Sequence, residues 1–467
     1  MQENIKEKFQ IKVEKVVFEG FGIGYLKNGG KIEDTADEFT TVFIINGLPN
    51  DIVVAKFLYK KKKSFFCDIE NIIQPSPFRD LTRCKNSLKC GACDWVDVSY
   101  NKQIALKTKL FNEIYGMKNL KVVKSPKIDY YRNKCFFPVQ MKNKEVRIGM
   151  YSRNTHEIIP HEHCYLYPQV YKKIIYIIHK WILTAKIEPY NEKTQKGNLR
   201  HIGIRSSEDL SSIIVILVTK TKKISFPKVL VQKLRAEVPE LCGVVQNFQP
   251  ENSNVILGRD FKNLWGHQFY TESFANLKLK INHQSFFQIN TFVAKIIYQD
   301  ILANIDYGDV VIDAYSGIGT IGFFVAQKAK QVICIEETES GNIAYAVSQR
   351  QSKVSNIIQI HAKTENVIGK VLKENNVDVI ILDPPRKGLE KSIIEAISDK
   401  MIKKIIYMSC NPMTHKRDLE LYKQKGYKLT CLKGYDMFPH TWHIESLAVI
   451  QLGVENYEGK ERKGNQI

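Results

Sequence analysis

The C-terminal part of the chain alternates short apolar runs with helix-length segments. From about residue 286 the apolar runs are GDVVIDAYSG, QVICIEE, IIQIHAK, DVIILDPP and KKIIYMSC, and the segments between them are Thr320–Lys330, Gly341–Val354, Glu365–Glu374 and Lys391–Lys400. Continuous apolar runs are typical of strands that are buried on both faces, and their alternation with helices favours a parallel sheet. The pattern therefore predicts a doubly wound parallel α/β sheet.

The last two apolar runs, KLTCLKGYDMF and ESLAVIQLG, follow a different rule. Only six residues separate Phe438 from Glu445. A parallel crossover needs a dozen residues or more, so these two strands must be antiparallel. We therefore expect residues 286–467 to form a mostly parallel sheet that is closed by an antiparallel strand pair.

Residues 1–75 show an all-β pattern. The runs IKVEKVVF, TVFIING, DIVVAKFLY and SFFCDIENII are β-branched and aromatic, and segments with turn residues separate them. Some five strands in this length predict a small β-barrel of the OB type. Lys60–Lys63 lie between two aromatic-containing strands, which suits either contact with a phosphate backbone or a solvated hairpin tip.

Residues 76–285 are strand-rich with helical interludes. The strand candidates are YYRNKCFFPVQM, VRIGMY, LRHIGIRSS, SSIIVILVT, LCGVVQNFQ and NVILG, and the helix candidates are Val170–Leu183 and Val229–Val238. The strand candidates carry the cations Arg132, Lys134, Arg200, His201 and Arg205. We expect most of these cations at the surface and some of them along an RNA channel.

The formal net charge of +20 favours a polyanionic partner or an anionic membrane surface. The longest apolar stretch, Ile174–Leu183, is interrupted by Lys180, and the first ten residues lack the apolar core of a signal peptide. We therefore expect a monomeric cytoplasmic protein that does not enter the membrane.

Ten cysteines in a cytoplasmic protein are expected to be core residues, metal ligands or catalytic thiols rather than disulfides. Cys84, Cys90 and Cys93 are closely spaced, and Cys164 follows about seventy residues later. Such a set can ligate zinc or an iron–sulfur cluster, and the spacing does not distinguish the two. The cysteines that lie inside apolar strand-like runs are interpreted as core residues: Cys67, Cys135, Cys242, Cys334 and Cys431.

A glycine-rich turn follows the first strand of the parallel sheet. Gly317, Gly319 and Gly322 form a G-x-G-x-x-G pattern, which is shared by NAD, FAD and S-adenosylmethionine sites. Glu336 ends the second strand, where a carboxylate can accept hydrogen bonds from ribose hydroxyls. Together they indicate a cofactor of nucleoside type.

Two further residues end the fourth and fifth strands. Asp383 precedes two prolines, which fix its position, and Cys410 lies in Ser-Cys-Asn-Pro, where the strand must stop. Glu445, at the start of the last strand, is a candidate general base. A thiolate that adds to C6 of a uracil makes C5 able to attack a sulfonium methyl, and a base must then remove the C5 proton. The sequence supplies one cysteine and one base for this chemistry.

Over nearly its whole length the chain resembles the bacterial RNA (uracil-5-)-methyltransferases, in the subgroup that acts on 23S ribosomal RNA. The catalytic-domain motifs that carry the resemblance are QSFFQIN (284–290), DAYSGIGTIG (313–322), ILDPPRKGL (381–389), SCNP (409–412) and DMFPHTWHIES (436–446). The segments FGIGYL, INGLPNDIV and SPFR resemble a TRAM domain. The resemblance implies a TRAM barrel over residues 1–75, a central domain with RNA contacts over 76–285 and a Rossmann-like methyltransferase domain over 286–467.

The resemblance also implies site residues and cofactors. Cys410 matches the nucleophile, and Glu445 matches the base that takes the C5 proton. The positions that match S-adenosylmethionine contacts are Gln288, Tyr315, Glu336 and Asp383. The positions similar to the ligands of a 4Fe-4S cluster, for which zinc is the alternative, are Cys84, Cys90, Cys93 and Cys164. One departure is His440, which stands after Pro439 where relatives commonly have glutamine.

Three other functions compete with methylation of 23S ribosomal RNA. A tRNA uracil-5 methyltransferase is the nearest, although tRNA-acting relatives commonly lack the four cysteines. An NAD-dependent oxidoreductase would use the same glycine turn, but the antiparallel terminal pair argues against it. A non-catalytic RNA-binding protein would be expected to have lost Cys410 or Glu445, and both are present.

Overall fold

The computed structural model describes residues 8–27, 39–80, 82–160 and 163–453. The N-terminal strands form one curled, barrel-like sheet in the order β1-β5-β6-β4-β3-β2. They are β1 (Lys8–Lys12), β2 (Lys15–Val16), β3 (Phe21–Lys27), β4 (Phe39–Ile45), β5 (Ile52–Lys61) and β6 (Ser64–Gln74). The predicted run IKVEKVVF is divided between β1 and β2, because the N–H of Val13 still bonds Asp51 beside β5 whereas the N–H of Glu14 bonds Ile23 in β3.

The central part contains a seven-stranded sheet in the order β10-β9-β8-β11-β12-β13-β14. The elements of this region are α1 (Tyr100–Tyr115), β7 (Val122–Val123), β8 (Lys134–Lys142), β9 (Glu145–Tyr151), β10 (Ile158–Pro160), α2 (Gln169–Thr184), β11 (Leu199–Ser206), β12 (Ile213–Thr219), α3 (Pro227–Glu237), β13 (Leu241–Phe248), β14 (Phe261–Gly266), β15 (Phe269–Phe274) and β16 (Leu277–Asn282). The pair β15 and β16 forms a separate hairpin.

Two predictions for this region are wrong. The run NVILG (254–258) is a loop, because the side chain of Asn247 bonds both the N–H and the carbonyl of Gly258 and so replaces strand pairing. The cations of β11 do not line the surface: Arg200, His201 and Arg205 are at most 7% exposed. The Arg205 guanidinium donates instead to the carbonyls of Asn282 and Ser285, both at 2.7 Å.

The C-terminal sheet has the order β19-β18-β17-β20-β21-β23-β22-β7. The elements of this region are α4 (Thr291–Leu302), β17 (Val310–Ala314), α5 (Thr320–Val325), β18 (Gln331–Glu336), α6 (Glu339–Ser352), β19 (Ile357–His361), α7 (Thr364–Glu374), β20 (Val379–Leu382), α8 (Lys391–Asp399), β21 (Lys404–Ser409), α9 (Pro412–Gln424), β22 (Tyr427–Tyr435) and β23 (Glu445–Leu452). The five strands from β19 to β21 are parallel, and β23 runs antiparallel to both β21 and β22.

The Rossmann-like parallel sheet and its antiparallel closing pair are therefore confirmed. Helix α5 ends at Val325 rather than Lys330, because the N–H groups of Lys328 and Ala329 both bond the carbonyl of Val325 and close the chain into turns. In the part of the chain that the structure describes, no helix combines the length and the apolar character that crossing a membrane requires.

The loop of residues 436–444 joins β22 to β23, and we call it the β22–β23 loop. At its start the ammonium of Lys107, on α1, lies 2.5 Å from a carboxylate oxygen of Asp436. Both side chains are fully buried. The Lys107 ammonium also donates to the carbonyl of Phe438 at 3.1 Å. Burial lowers the pKa of Lys107, and the Asp436 charge opposes that shift. Each charge therefore depends on the other to remain in the interior.

The rest of the loop is held from other segments. The backbone N–H groups of Asp94 and Trp95 both donate to the carbonyl of His440, at 2.9 and 3.0 Å. On the barrel side, Phe18 makes an edge-to-face contact with Trp442 at 5.1 Å. A Cβ added to Gly20 would come within 2.3 Å of the Trp442 ring. The barrel and the cysteine-containing segment therefore both contact the loop that leads into β23.

Replacing Lys107 by methionine leaves the Asp436 carboxylate buried without its partner. Removing one member of such a pair costs about 3–5 kcal/mol, so we expect Lys107→Met to lower the thermal unfolding midpoint by roughly 5–10 °C. The matched control is Lys370→Met, because Lys370 pairs with Glu374 at 3.8 Å on an exposed helix face. Differential scanning fluorimetry that gave equal midpoints for the two variants would contradict the structural role of Lys107.

Candidate active site

The residues predicted for the site lie at one edge of the C-terminal sheet. Strand β20 pairs with β17 and β21, so that Asp383 and Cys410 follow neighbouring strand ends. Strand β23 runs the opposite way, with Ser446 opposite Ser409, and its first residue, Glu445, therefore lies at the same edge. The ends of the parallel strands β20 and β21 and the start of the antiparallel strand β23 therefore meet at one edge of the sheet.

Cys410 lies between the end of β21 and the start of α9. Asn411 caps the helix by accepting a hydrogen bond from the N–H of Met413 at 3.1 Å, and Pro412 starts it. Burial, with added repulsion from Glu445, raises the pKa of the Cys410 thiol to about 11, and Arg386 opposes that rise. Within the free site Cys410 is therefore a protonated thiol at neutral pH.

Glu445 is 2% exposed. Among the described residues, nothing hydrogen-bonds its carboxylate oxygen Oε1. Burial, together with the nearby charge of Asp383, raises its pKa well above the ordinary value, and Arg386 opposes the rise. A buried carboxyl group with an unused oxygen is costly to maintain, and such groups cluster at functional sites.

Asp383 and Gln288 are also brought together. The Gln288 side-chain amide donates to Asp383 Oδ2 at 3.4 Å. Burial raises the pKa of Asp383 to about 7. Gln288 belongs to the segment before α4, and the side chain of Asn133 holds its carbonyl at 2.9 Å. The residue directly before β8 therefore helps to position a residue of the catalytic edge.

Glu336 bonds the glycine turn directly. Its two carboxylate oxygens accept from the N–H of Gly317 at 2.8 Å and from the N–H of Thr338 at 2.7 Å. Gly319 has a φ of +78°, and a Cβ there would lie 2.6 Å from the Tyr345 ring. The turn therefore needs glycine, and each Glu336 oxygen keeps a lone pair for a further donor such as a ribose hydroxyl.

Tyr315 follows β17 with a φ of +61°, a left-handed conformation that is uncommon for an aromatic residue. Its hydroxyl donates to Glu365 at 2.8 Å, at the start of α7. The ring is thereby fixed at the same sheet edge as Glu336 and Asp383.

Arg386 is a further site residue that the sequence motifs did not identify. Its guanidinium acts on both Cys410 and Glu445, since its charge lowers the pKa of each group. The signal was available in the sequence, because Arg386 directly follows the two prolines that fix Asp383. A cation near both a thiol and a carboxyl group can stabilise the anionic form of either one.

The four cysteines of the predicted cluster are neighbours in space. The pKa of Cys90 is raised mainly by burial and further by Cys84, and the pKa of Cys164 is raised to about 11 by burial with contributions from Cys90 and Cys84. Cys93 is likewise raised by burial and by Cys164. Over the described ranges, however, no three His, Cys, Asp or Glu side chains are arranged to hold a metal ion.

The donor set still fits a metal centre in its chemistry. Four thiols share one region, and the N–H of Ala92 points at the Cys90 sulfur at 3.5 Å, as backbone groups do around bound thiolates. The N–H of Leu166 likewise bonds Cys164.

Comparison with known proteins places the chain in context. The model of the tRNA (uracil-5-)-methyltransferase family matches residues 97–452. An uncharacterised RNA methyltransferase of Clostridium tetani is 32% identical over 462 residues, which cover 95% of each chain. One from Lactobacillus johnsonii is 33% identical and covers 97% of this chain and 99% of its own.

Among solved structures, the Pyrococcus abyssi tRNA (uracil-54, C5)-methyltransferase, crystallised with S-adenosyl-L-homocysteine, superposes with a TM-score of 0.76. The two sequences are 22% identical, and the match covers 95% of this chain and 100% of the other. This likeness shows that the two proteins share a fold.

The charges of Arg386 and Glu445 predict opposite changes in the rate at which the Cys410 thiol is alkylated when each residue is replaced. We expect Arg386→Ala to raise the pKa of Cys410 and Glu445→Gln to lower it, because one variant removes a stabilising cation and the other a repelling anion. At pH 8 the alkylation of Cys410 by iodoacetamide should then slow in the first variant and accelerate in the second. Mass spectrometry of the peptide that contains Cys410, over a series of pH values, measures both shifts.

Cys242 is the internal control, since its pKa is raised by burial and neither Arg386 nor Glu445 contributes to it. Its alkylation profile should be the same in all three proteins. Shifts of equal sign in the two variants would show that the charges of Arg386 and Glu445 do not govern the thiol.

Proposed function

Because this chain belongs to the tRNA (uracil-5-)-methyltransferase family, we propose that it methylates C5 of a uridine in 23S ribosomal RNA by covalent catalysis. Members of this family transfer the methyl group from S-adenosylmethionine to RNA, and this chain is such an enzyme. The observation that carries the mechanism is the position of Cys410 beside Glu445 at one sheet edge. The family match and this pair of groups both disfavour the NAD-dependent and the non-catalytic alternatives.

In the first step the Cys410 thiol loses its proton to water, and the resulting thiolate adds to C6 of the target uracil. The new S–C6 bond moves electrons onto C5, which then attacks the methyl carbon of S-adenosylmethionine, and S-adenosylhomocysteine leaves. Arg386 supports this step because its positive charge favours the thiolate over the thiol. The target base must leave its stack to reach Cys410, as is usual for enzymes that modify a base.

The second step releases the product. Glu445 removes the proton from C5, the electrons of that bond re-form the C5–C6 double bond, and the Cys410 thiolate leaves. A carboxylate whose pKa is raised by burial is a stronger base than one in water. Glu445 combines this raised pKa with an oxygen that no described residue occupies.

The remaining predicted residues hold the methyl donor. Glu336 and the glycine turn would bind the ribose, and Gln288, Asp383 and Tyr315 would supply further contacts at the same sheet edge. Support comes from the hydrogen bonds that already fix these side chains. The N–H of Gly317 donates to the Glu336 carboxylate, and the Gln288 amide donates to the Asp383 carboxylate. Preorganised contacts of this kind reduce the cost of ordering the site on binding.

Cys84, Cys90, Cys93 and Cys164 hold a 4Fe-4S cluster in this proposal, with zinc as the alternative. The cluster joins distant parts of the chain and supplies no chemistry to methyl transfer. Support comes from the mutual influence of the four thiols and from the resemblance to the subgroup that acts on 23S ribosomal RNA. The same cysteine set favours ribosomal RNA over tRNA as the substrate.

Loss of the gene should remove 5-methyluridine from 23S ribosomal RNA and leave tRNA unchanged. Complementation with the wild-type chain should restore the modification, whereas Cys410→Ala should not, because C6 then has no nucleophile. Mass spectrometry of nuclease digests of both RNAs provides the measurement. Loss of the modification from tRNA alone would replace the proposed substrate with tRNA.

The purified variants separate the two chemical steps. With RNA and S-adenosylmethionine, Glu445→Gln should accumulate a covalent protein–RNA adduct that survives denaturing electrophoresis, because the C5 proton remains and the thiol cannot leave. Cys410→Ala should form no adduct and should still bind S-adenosylmethionine in calorimetry. Methylation by Cys410→Ala would exclude Cys410 as the nucleophile.

Anaerobic purification tests the metal centre without reference to activity. We expect about four iron atoms per chain with broad visible absorbance, and we expect Cys93→Ala to lose both. Cys67→Ala is the matched control, because Cys67 is a buried cysteine of the barrel core. Stoichiometric zinc and no visible absorbance in the wild type would favour the structural zinc alternative.

A further inference from the structure

A concave surface of the central region gathers lysines from separate segments. Lys186 follows α2, Lys222 and Lys223 lie between β12 and α3, and Lys262 belongs to β14. All four line one cleft of about 570 Å³, which we call the lysine groove. The fold therefore concentrates cations that are far apart in the sequence.

The charge of the lysine groove is not balanced locally. All four lysines are exposed. Glu188 is the one carboxylate among the residues that line the groove. Within the described part of the chain, no carboxylate forms an ion pair with any of these four lysines. A concave surface that holds like charges of this kind attracts a polyanion and raises its local concentration.

Two exposed aromatic rings, Phe226 and Phe261, flank the lysine groove without lining it. Phe226 is 65% exposed and lies between Ser225 and Pro227, which both line the groove. Its φ of +49° is a left-handed conformation that costs a phenylalanine of order 1–3 kcal/mol. The indole N–H of Trp181 donates to its carbonyl at 3.1 Å and helps to hold that conformation. Phe261, next to Lys262, is 38% exposed.

The groove continues toward the catalytic domain. A second cleft, of about 1230 Å³, shares Lys222 with the groove and extends past Arg259 and Phe261 to Thr338, two residues after the end of β18. Its lining also carries the carboxylates Asp260, Glu337 and Glu339, so that the cationic surface is confined to the groove and to the Lys222 end of this cleft. His283 also lines this cleft, is 1% exposed, and has no described partner for either ring nitrogen. Its ring packs edge to face against Phe261, with the ring centroids 4.5 Å apart.

We propose that the lysine groove binds a single-stranded segment of the substrate RNA outside the target loop, with phosphates on the lysines and unpaired bases on Phe226 and Phe261. Cationic grooves with interleaved aromatic rings bind single strands, because every base offers a face for stacking. A flat anionic membrane cannot follow a concave path between α2, α3 and β14. The inference rests on the proposed function for the identity of the RNA, and it places an RNA contact on elements of the central region.

Removing the four groove charges tests the electrostatic part. The variant Lys186→Gln/Lys222→Gln/Lys223→Gln/Lys262→Gln should bind a 23S ribosomal RNA fragment with flanking single strands at least roughly tenfold more weakly at 0.1 M salt. The slope of log affinity against log salt should fall by about 0.7 per lost phosphate contact, or about 3 in all. A minimal hairpin that lacks the flanking strands should be methylated with unchanged kcat/KM.

The matched control removes the same charge elsewhere in the central region. Lys144, Lys172, Lys193 and Lys233 are exposed and line neither cleft, so that their replacement by glutamine should leave the salt slope near that of the wild type. A separate variant, Phe226→Ala, should weaken binding by about five- to 150-fold per stacked base and leave the slope unchanged.

Three results would overturn the inference. The first is equal binding by the groove and control variants. The second is an equal loss for the minimal hairpin, which would place the four lysines at the target loop. The third is a loss of binding to anionic phospholipid vesicles with RNA affinity unchanged, which would assign the surface to membranes. Failure of the wild type to make 5-methyluridine in 23S ribosomal RNA would instead refute the proposed function. The groove could still be tested in that case, because the salt dependence of binding can be measured on any single-stranded RNA.

Discussion

The buried pair of Lys107 and Asp436 is the constraint on which the geometry of the site depends. It joins α1 to the first residue of the β22–β23 loop, and the same ammonium holds the carbonyl of Phe438. Because neither charge reaches water, the loop cannot move away from α1 without leaving an ion unsatisfied in the interior. Glu445 follows that loop directly, so the position of the proposed base is determined by an ion pair that takes no part in the chemistry.

The surroundings of the site disfavour the ionised forms of its acidic groups. Burial raises the pKa values of Cys410, Glu445 and Asp383, and among the described residues Arg386 is the group that favours the anionic forms of the first two. A protonated thiol is also a poor target for oxidants, since the thiolate is the reactive form. In the proposed mechanism the resting enzyme thus keeps its nucleophile protected, and Arg386 is the group already in position to stabilise the thiolate.

The sequence predicts the C-terminal sheet well because its signals are local. Apolar runs, helix-length spacers and a connection too short for a crossover determine the parallel strands and the antiparallel pair. Cys410 and Asp383 are placed at one edge by the same logic. The long-range features could not be predicted in this way. The strand pattern predicts Arg205 as a surface cation. It is buried instead, because its guanidinium donates hydrogen bonds to two carbonyls that are distant in sequence. The pairing of Lys107 with Asp436 likewise joins residues that no local pattern relates.

The contact between Gly20 and Trp442 has a consequence for how such proteins can diverge. A side chain of any size at Gly20 would collide with the indole, which belongs to the loop before Glu445. The barrel therefore cannot be exchanged for one from a relative as an independent module unless its 18–20 turn fits the same tryptophan. Recombination between members of the family should preserve these two segments as a matched set. A chimera that joins at residue 75 a foreign barrel with a side chain at position 20 inherits a steric conflict with Trp442, near the opposite end of the sequence.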